Sequence, residues 1–304
     1  MPRPCLLAVY GPTGSGKSAL AETLAGPLNA RLISVDAFQV YRGFDIGTGK
    51  PKPPHNWLGV DLIDPEEDFG VVEFIRYALP LLQESWQREE NVILAGGTGQ
   101  YMRALLEEFS DLGPLPNPEL RAALMKREEE EGLASLAAEL NLLHPENKVD
   151  VKNPVRVRRA LERLLQPSEP FHFTIPPFLK LKIGLQVDPE LLAIWQEKRI
   201  SAMFRDGWTV EIEGLMAKGV PESAPAWRAI GYDVVKRALI QQSGLTEAAA
   251  EAAVLHRQYA KRQRTWLRKE PNLQWVNVSG ETQTSYDLAH EVMGHIRAGK
   301  KENG

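Results

Sequence analysis

The stretch Gly11-Pro12-Thr13-Gly14-Ser15-Gly16-Lys17-Ser18 fills every fixed position of the phosphate-binding loop pattern G-x-x-x-x-G-K-[ST]. An apolar run, Leu6 to Tyr10, precedes this loop and predicts a buried strand, and the residues from Ala19 to Leu24 predict a helix after it. The backbone N–H groups of such a loop point at the phosphates, Lys17 adds a positive charge, and the Ser18 hydroxyl is suited to Mg²⁺. The loop therefore predicts a site that binds a chain of phosphates.

Composition narrows the class of protein. The chain has 304 residues, 43% of them hydrophobic, and a net charge of −4, so any nucleic-acid site must be a local basic patch. Its single cysteine, Cys5, cannot form an intramolecular disulfide, which is typical of a reducing compartment. Neither a run of transmembrane length nor a signal peptide is recognisable. We expect a cytoplasmic, monomeric protein without a membrane partner.

Apolar runs recur with helical patterns between several of them, which predicts an α/β protein: a P-loop fold with a doubly wound parallel sheet. The first run ends in the phosphate loop, the second in Asp36 and the third in the loop Gly96 to Gly99. Ligands bind at the carboxyl ends of the strands in such sheets, so we expect these endings to meet at one site. The five runs are Leu6 to Tyr10, Arg31 to Val35, Val92 to Ala95, Leu181 to Val187 and Trp275 to Val278.

Between Asp111 and about Phe173 the pattern is helical only. Asn117, followed by Pro118, predicts the start of a helix whose leucines continue to Leu140, and a second helix is expected from about Asn153 to Leu165. A proline-rich stretch then returns the chain to the next strand. We interpret residues 111–173 as a helical insertion domain within a core domain of residues 1–110 and 174–304.

Other phosphate chemistries fit the sequence less well. The stretch Asn147 to Asp150 imitates the N-K-x-D motif of GTPases, but it does not follow a buried strand, and the switch motif D-x-x-G is absent. Asp68-Phe69-Gly70 resembles the metal motif of protein kinases without their H-R-D loop. His290 and His295 are five residues apart, whereas two zinc ligands on one helical face are four apart.

Two further features point to chemistry. Asp36, at a strand end, could orient Mg²⁺ or take a proton from a nucleophile; alternatively, its carboxylate caps the following turn. The segment His256 to Lys269 has six basic residues and no acidic one, with Tyr259 and Trp266 interleaved. A helix there would have a basic face suited to a phosphate backbone. That face comprises Arg257, Lys261, Arg264 and Arg268, and a smaller stripe in the insertion comprises Arg156, Arg159 and Arg163.

Together these segments resemble the tRNA dimethylallyltransferases, also called tRNA isopentenyltransferases, in their bacterial form. The resemblance covers nearly the whole chain. It rests on the phosphate loop, D-x-x-Q-V-Y-R-G-x-D-I-G-T-x-K-P from Asp36, G-G-T-G-x-Y from Gly96, N-P-x-R-x-x-R-A-L-E from Asn153, Ala229-Ile230-Gly231-Tyr232, and A-K-R-Q-x-T-W-L-R from Ala260. It implies transfer of a dimethylallyl group from dimethylallyl diphosphate to N6 of the adenosine 3′ to the anticodon of a tRNA.

The resemblance also implies roles for individual residues. Asp36 is the general base, Lys17 and Ser18 with Mg²⁺ stabilise the leaving diphosphate, and Arg228 lies near that diphosphate. The family has Ser-Arg after the aspartate where this chain has Ala37 and Phe38, so RNA contacts there are lost or replaced by stacking. The residues expected to bind tRNA, through its anticodon stem-loop, are Asp36, Ala37, Phe38, Gln39, Thr98, Arg121, Val155, Arg156, Val157, Arg158, Arg159, Lys261 and Arg264.

Two competing functions share the phosphate loop. An isopentenyltransferase acting on a free adenine nucleotide would need neither the insertion nor two basic stripes. In a small-molecule kinase, Asp36 would activate a hydroxyl group of the acceptor. The two stripes favour a long polyanion as the partner.

Overall fold

A parallel six-stranded sheet forms the core of the protein, in a computed structural model that describes residues 3–51, 57–109, 117–166, 172–280 and 285–302. The strand order is β3-β2-β4-β1-β5-β6, and every pairing is parallel. The predicted P-loop α/β fold is thereby confirmed. The strands are β1 (Cys5–Tyr10), β2 (Ala30–Ser34), β3 (Trp57–Leu58), β4 (Asn91–Ala95), β5 (Leu179–Val187) and β6 (Gln274–Val278).

The central strand β1 explains why the strands read as continuous apolar runs. All of its residues are buried, with Leu7 paired to Ile93 on one side and to Leu181 on the other. Leu7 and Val9 join one hydrophobic cluster, while Leu6 and Ala8, which alternate with them, are completely buried outside that cluster. Because helices cover both faces of the sheet, neither face needs polar side chains.

Eleven α-helices and one short 3₁₀-helix, Pro225–Arg228, are present in the described ranges. Helices α1 and α11 pack on the β1 face that carries Leu7, and α2 contacts β4. No helix in this part of the chain is long and apolar enough to cross a membrane. The α-helices are α1 (Lys17–Leu28), α2 (Val71–Gln87), α3 (Gly99–Leu106), α4 (Pro118–Glu131), α5 (Leu133–Leu143), α6 (Pro154–Leu165), α7 (Pro189–Arg205), α8 (Trp208–Ala217), α9 (Tyr232–Gln241), α10 (Leu245–Leu267) and α11 (Ser285–Glu302).

The chain divides into two compact units, Met1–Glu107 with Ile175–Gly304, and Glu108–Thr174. The expected boundary near residue 111 and the proline-rich residues 167–171 lie outside the described residues. In the smaller unit, Asn117 and Asn153 cap α4 and α6 as predicted, each accepting a backbone N–H through its side chain. The first predicted helix is two helices, α4 and α5, because Gly132 adopts a φ of 83° between them.

A second, aromatic core lies in the larger unit behind the loop that follows β2. The Phe44 ring lies 4.9 Å from the ring of Tyr232 and 5.1 Å from that of Trp227, measured between centroids. Trp208 is completely buried in the same cluster. Residues 45–51, which border the candidate site, therefore rest on a packed support.

Candidate active site

The phosphate loop joins β1 to the first turn of α1. Gly14 and Gly16 adopt φ angles of 84° and 88°, which glycine tolerates without strain and which allow the tight turn. The Lys17 Nζ donates a hydrogen bond to the backbone oxygen of Pro12 at 2.8 Å. Ser18 is exposed at the start of α1, where the helix dipole favours an anion. The loop thus has the arrangement that its sequence predicts.

Two glutamines hold the backbone of Thr13 within this loop. Gln263 Oε1 accepts the Thr13 N–H at 2.7 Å, and Gln196 Nε2 donates to the Thr13 oxygen at 2.9 Å. Gln263 Nε2 also donates to the oxygen of Gly97 at 2.9 Å. Both glutamines escaped the sequence analysis, although Gln263 lies inside the recognised A-K-R-Q segment. Together they tie the phosphate loop to α7, α10 and the loop after β4.

Asp36 follows β2 and faces the same site. Its Oδ1 accepts the Phe38 N–H at 2.9 Å, so the carboxylate does cap the following turn. Its Oδ2 lies 3.2 Å from the position that a Cβ on Gly97 would occupy, and within the described ranges it has no hydrogen-bond partner. One carboxylate oxygen is therefore fixed while the other is available to a ligand.

These elements enclose a cleft of about 800 Å³, including its space open to solvent. The endings of β1, β2 and β4 meet there, as predicted, and bring Lys17, Asp36 and Gly97 to one site. The lining combines polar residues with an apolar group of side chains, and apolar side chains suit a small hydrocarbon. That apolar group consists of Phe38, Pro51, Trp57, Ala95, Ala229 and Ile230.

Burial shapes the charges in the cleft. It lowers the pKa of Lys17 to about 7, with the nearby Arg199 lowering it further and Asp36 opposing the shift. Burial, together with Arg199, lowers the pKa of His256 to about 4, so this imidazole is neutral at pH 7. Burial and the charge of Asp36 raise the pKa of Tyr259 to about 12. Arg199 and His256 both escaped the sequence analysis.

One wall of the cleft is a loop held by side chains from other elements. Glu211 accepts the backbone N–H groups of Asp45 and Ile46 at 3.0 and 2.7 Å, and it accepts the Tyr232 hydroxyl at 2.6 Å. In the same loop, the Gln39 amide donates to the oxygens of Thr48 and Gly49. The amide group of Gln39, a residue expected to bind RNA, is therefore occupied by hydrogen bonds to this loop.

Comparison with known proteins agrees with this geometry. The family model described as IPP transferase matches residues 39–270. The chain belongs to this family. It is 40% identical over 271 residues to a tRNA dimethylallyltransferase of Thermus thermophilus, with 86% of this chain and 88% of that protein covered. The corresponding protein of Geobacter metallireducens is 35% identical over 291 residues, with 91% and 93% covered.

Solved structures agree as well. The full-length tRNA isopentenylpyrophosphate transferase of Bacillus halodurans is similar with a TM-score of 0.71 and 30% identity, covering 99% of both chains. The phosphate loop, residues 11–18, lies entirely before the matched residues 39–270, but it falls within the near full-length similarity to this structure. The predicted family is therefore confirmed.

In this IPP transferase, α10 has two different faces. Lys261 is exposed and Arg264 is half-buried, and neither has an ion-pair partner among the residues described, whereas Arg257 pairs with Glu197 at 3.0 Å. The interleaved aromatic residues point the other way: the Tyr259 hydroxyl donates to the Gly97 oxygen, and Trp266 packs over Gly99. The aromatic side chains therefore close the back of the site and are not part of the basic face.

Other expected contacts are placed differently. Arg228 is not among the residues that line the cleft, and its side chain is exposed at the end of the 3₁₀-helix; of the arginines that the structure describes, Arg199 lines the cleft. Thr98 accepts the Ala37 N–H at 3.0 Å through its hydroxyl, so it organises the turn after Asp36. Phe38 lines the cleft, where it is available for stacking.

In the smaller unit, ion pairs hold most of the expected RNA-binding arginines. Arg121 and Arg159 both donate to the buried Glu162, at 2.8 and 2.7 Å, and Arg158 pairs with Glu128. The side chain of Val157, another residue expected to bind RNA, is completely buried in the core of this unit. On α6 the neighbouring positions Val155 and Arg156 are exposed.

Proposed function

We propose that this chain transfers the dimethylallyl group of dimethylallyl diphosphate to N6 of the adenosine 3′ to the anticodon of a tRNA. The observation that carries the proposal is the meeting of Lys17 and Asp36 in one cleft whose lining also includes apolar side chains. The reaction needs a cation for the diphosphate leaving group, apolar side chains for the hydrocarbon and a base for the weakly acidic amine. The names of the curated relatives support the same reaction.

Departure of the diphosphate is the first requirement. The bond between the allylic carbon and the diphosphate oxygen breaks, and its electron pair stays on that oxygen. Backbone N–H groups at the start of α1 and the ammonium group of Lys17 stabilise the negative charge that develops there. The Ser18 hydroxyl supplies a hard oxygen ligand beside the phosphate loop, of the kind that Mg²⁺ prefers, and bound Mg²⁺ would neutralise diphosphate charge.

Deprotonation of the acceptor is the second requirement. The lone pair of N6 is delocalised into adenine, so the amine becomes a good nucleophile only as its proton leaves. Asp36 Oδ2 accepts that proton while the bond from N6 to the allylic carbon forms. The hydrogen bond from Phe38 to Oδ1 fixes the orientation of the carboxylate. The products are N6-(dimethylallyl)adenosine in the tRNA and free diphosphate.

The acceptor base must leave its stack in the anticodon loop to enter the cleft. The basic face of α10 binds the phosphate backbone of the stem-loop, and the helical unit of residues 108–174 adds Arg156 and the exposed Val155. A tRNA substrate would place this activity in the cytoplasm. We expect a monomer to be sufficient, because one chain supplies the phosphate loop, the base and the basic face; light scattering during turnover tests this.

Incubation of the protein with dimethylallyl diphosphate and Mg²⁺ tests the proposal. One reaction receives unmodified tRNA and a second receives AMP, and nucleosides are identified by mass spectrometry. We expect prenylated adenosine beside the anticodon and no prenylated AMP. Prenylation of AMP alone would favour the nucleotide isopentenyltransferase, and transfer of phosphate from ATP to a small acceptor would favour the kinase.

The substitution Asp36→Asn tests the role of the base. Asparagine keeps an oxygen that can cap Phe38, so the turn persists while the proton acceptor is lost. We expect tRNA and donor affinities close to those of the parent and a kcat lower by about 10²- to 10⁴-fold. Asp188→Asn is the matched control, because the Asp188 carboxylate likewise accepts backbone N–H groups, at the start of α7, but lies outside the cleft lining. An unchanged kcat for Asp36→Asn would eliminate this residue as the base.

A further inference from the structure

Arg199 lies one helical turn after Gln196 on α7. Since Gln196 donates to Thr13 in the phosphate loop, the inward face of α7 runs along that loop. A Cβ on Gly14 would contact Gln196 Cγ at 3.2 Å, which confirms the close approach. Arg199 follows on the same face and lines the cleft.

The guanidinium group of Arg199 is seated against Gly49. A Cβ on Gly49 would lie 1.9 Å from Arg199 Nη2, so any larger residue at position 49 would displace the guanidinium. Gly49 itself belongs to the wall whose backbone is fixed by Gln39 and, a few residues earlier, by Glu211. Hydrogen bonds therefore fix the loop at Gly49, and the position of the guanidinium does not depend on a flexible neighbour.

This guanidinium has no hydrogen bond or ion pair within the part of the chain that the structure describes. Burial lowers the pKa of Arg199 and the charge of Asp36 opposes that shift, while the charge of Arg199 lowers the pKa of both Lys17 and His256, so these three groups lie near the guanidinium. His256 Nε2 is buried and, among the described residues, also lacks a partner. Arg199 is a half-buried cation with unused donors beside Lys17, an arrangement that suits an anionic ligand.

We infer that Arg199, seated on Gly49, contacts the diphosphate of the prenyl donor as a second cation beside Lys17. The tie between α7 and the phosphate loop favours this small anion over a backbone phosphate of the RNA. A guanidinium stays protonated throughout the physiological pH range and donates in a planar fork, so it suits two phosphate oxygens. The inference rests on the proposed function for the identity of the donor.

Calorimetric titration with inorganic diphosphate and Mg²⁺, without RNA, tests this contact. Charge-assisted hydrogen bonds of ordinary strength predict about a 10- to 100-fold weaker binding for Arg199→Gln. Arg199→Lys should recover part of the affinity. Arg205→Gln is the matched control, because Arg205 lies on the same helix with its side chain 75% exposed and should bind diphosphate as the parent does.

The substitution Gly49→Ala tests the seat, because it keeps Arg199 in the chain but puts a methyl group where its guanidinium lies. We expect weaker diphosphate binding in the parent background and no further loss in the Arg199→Gln background. Gly49 has a φ of 65°, so backbone strain must be controlled; Gly219→Ala has the same strain, at a φ of 78°, with nothing within 4 Å. Equal losses for Gly49→Ala and Gly219→Ala would overturn the seating argument.

Two results would overturn the contact itself. One is an unchanged diphosphate affinity in Arg199→Gln, and the other is a loss of stem-loop RNA affinity without a loss of diphosphate affinity. Should Arg199→Gln fail to fold, Arg199→Lys and Gly49→Ala provide the same comparison. Diphosphate binding is measured without an acceptor, so failure of the parent to prenylate tRNA would contradict the proposed function and leave this result standing.

Discussion

Lys17 should take up a proton when the donor binds. Burial lowers its pKa to about 7 in the free site, with Arg199 contributing, whereas an adjacent diphosphate favours the charged ammonium form. With that pKa, free Lys17 is protonated in about nine-tenths of molecules at pH 6, about half at pH 7 and about one-tenth at pH 8. At pH 7 and pH 8, where the donor itself is ionised, donor binding should therefore take up about 0.5 and 0.9 protons.

The direction of the pH dependence follows from the linkage between proton binding and donor binding. Because the bound state holds more protons than the free state, donor affinity falls as pH rises through the pKa of free Lys17. The protonated fractions at pH 7 and pH 8 differ about fivefold, so the dissociation constant of the donor should rise about fivefold over that unit. The terminal phosphate of the donor has a pKa near 6 and is ionised throughout this interval, so its own titration does not contribute.

Calorimetry with dimethylallyl diphosphate measures the uptake directly, since no transfer occurs without an acceptor. Titrations in buffers of different ionisation enthalpy give the number of protons from the slope. Lys17→Arg should bind without uptake because arginine is already protonated, and Arg199→Gln should reduce uptake at pH 8 by raising the pKa of Lys17. An uptake near zero in the parent at pH 8, or an equal uptake in Lys17→Arg, would refute the reasoning.

Two further predictions concern RNA binding and the smaller unit. Lys261→Ala and Arg264→Ala should each lower the slope of log affinity for the stem-loop against log salt by about 0.7 to 0.9. Arg257→Ala should leave that slope nearly unchanged, because Arg257 is already paired with Glu197. Filter binding across a salt series measures the slopes, and slopes equal to that of the parent for Lys261→Ala and Arg264→Ala would contradict the basic face. Glu162→Ala leaves two arginines without their buried carboxylate and should destabilise α4 and α6 by about 3 kcal/mol. Hydrogen exchange of these helices measures the loss against exposed Glu146→Ala, and identical exchange in both variants would dismiss the ion-pair argument.

Most of the fold was predictable because its signals are local. Five of the six strands correspond to apolar runs, and the caps at Asn117 and Asn153 start helices through their own side chains. The edge strand β3 has only two residues, too few for any periodicity. The break at Gly132 was missed because the leucine spacing continues across it, although the glycine itself was a signal.

The candidate site was predictable only where its residues follow strand ends. Lys17 and Asp36 belong to segments whose place in an α/β sheet follows from the topology. Arg199 and His256 lie on helices α7 and α10, far along the chain, and only tertiary packing brings them to the cleft. Val157 and Arg156 are adjacent on one helix, yet Val157 faces the core and Arg156 faces the solvent. A motif of consecutive residues therefore could not distinguish the buried residue from the exposed one.

Helix α10 explains how RNA binding and donor binding can share one rigid element. Its inward residues Tyr259, Gln263 and Trp266 close the back of the site on the loop at Gly97 and Gly99, while its cations face outward. Gln263 contacts the phosphate loop at Thr13, so the helix fixes the distance between the basic face and that loop. A substitution on the outer face should therefore change affinity for RNA, whereas one on the inner face should change the position of the donor.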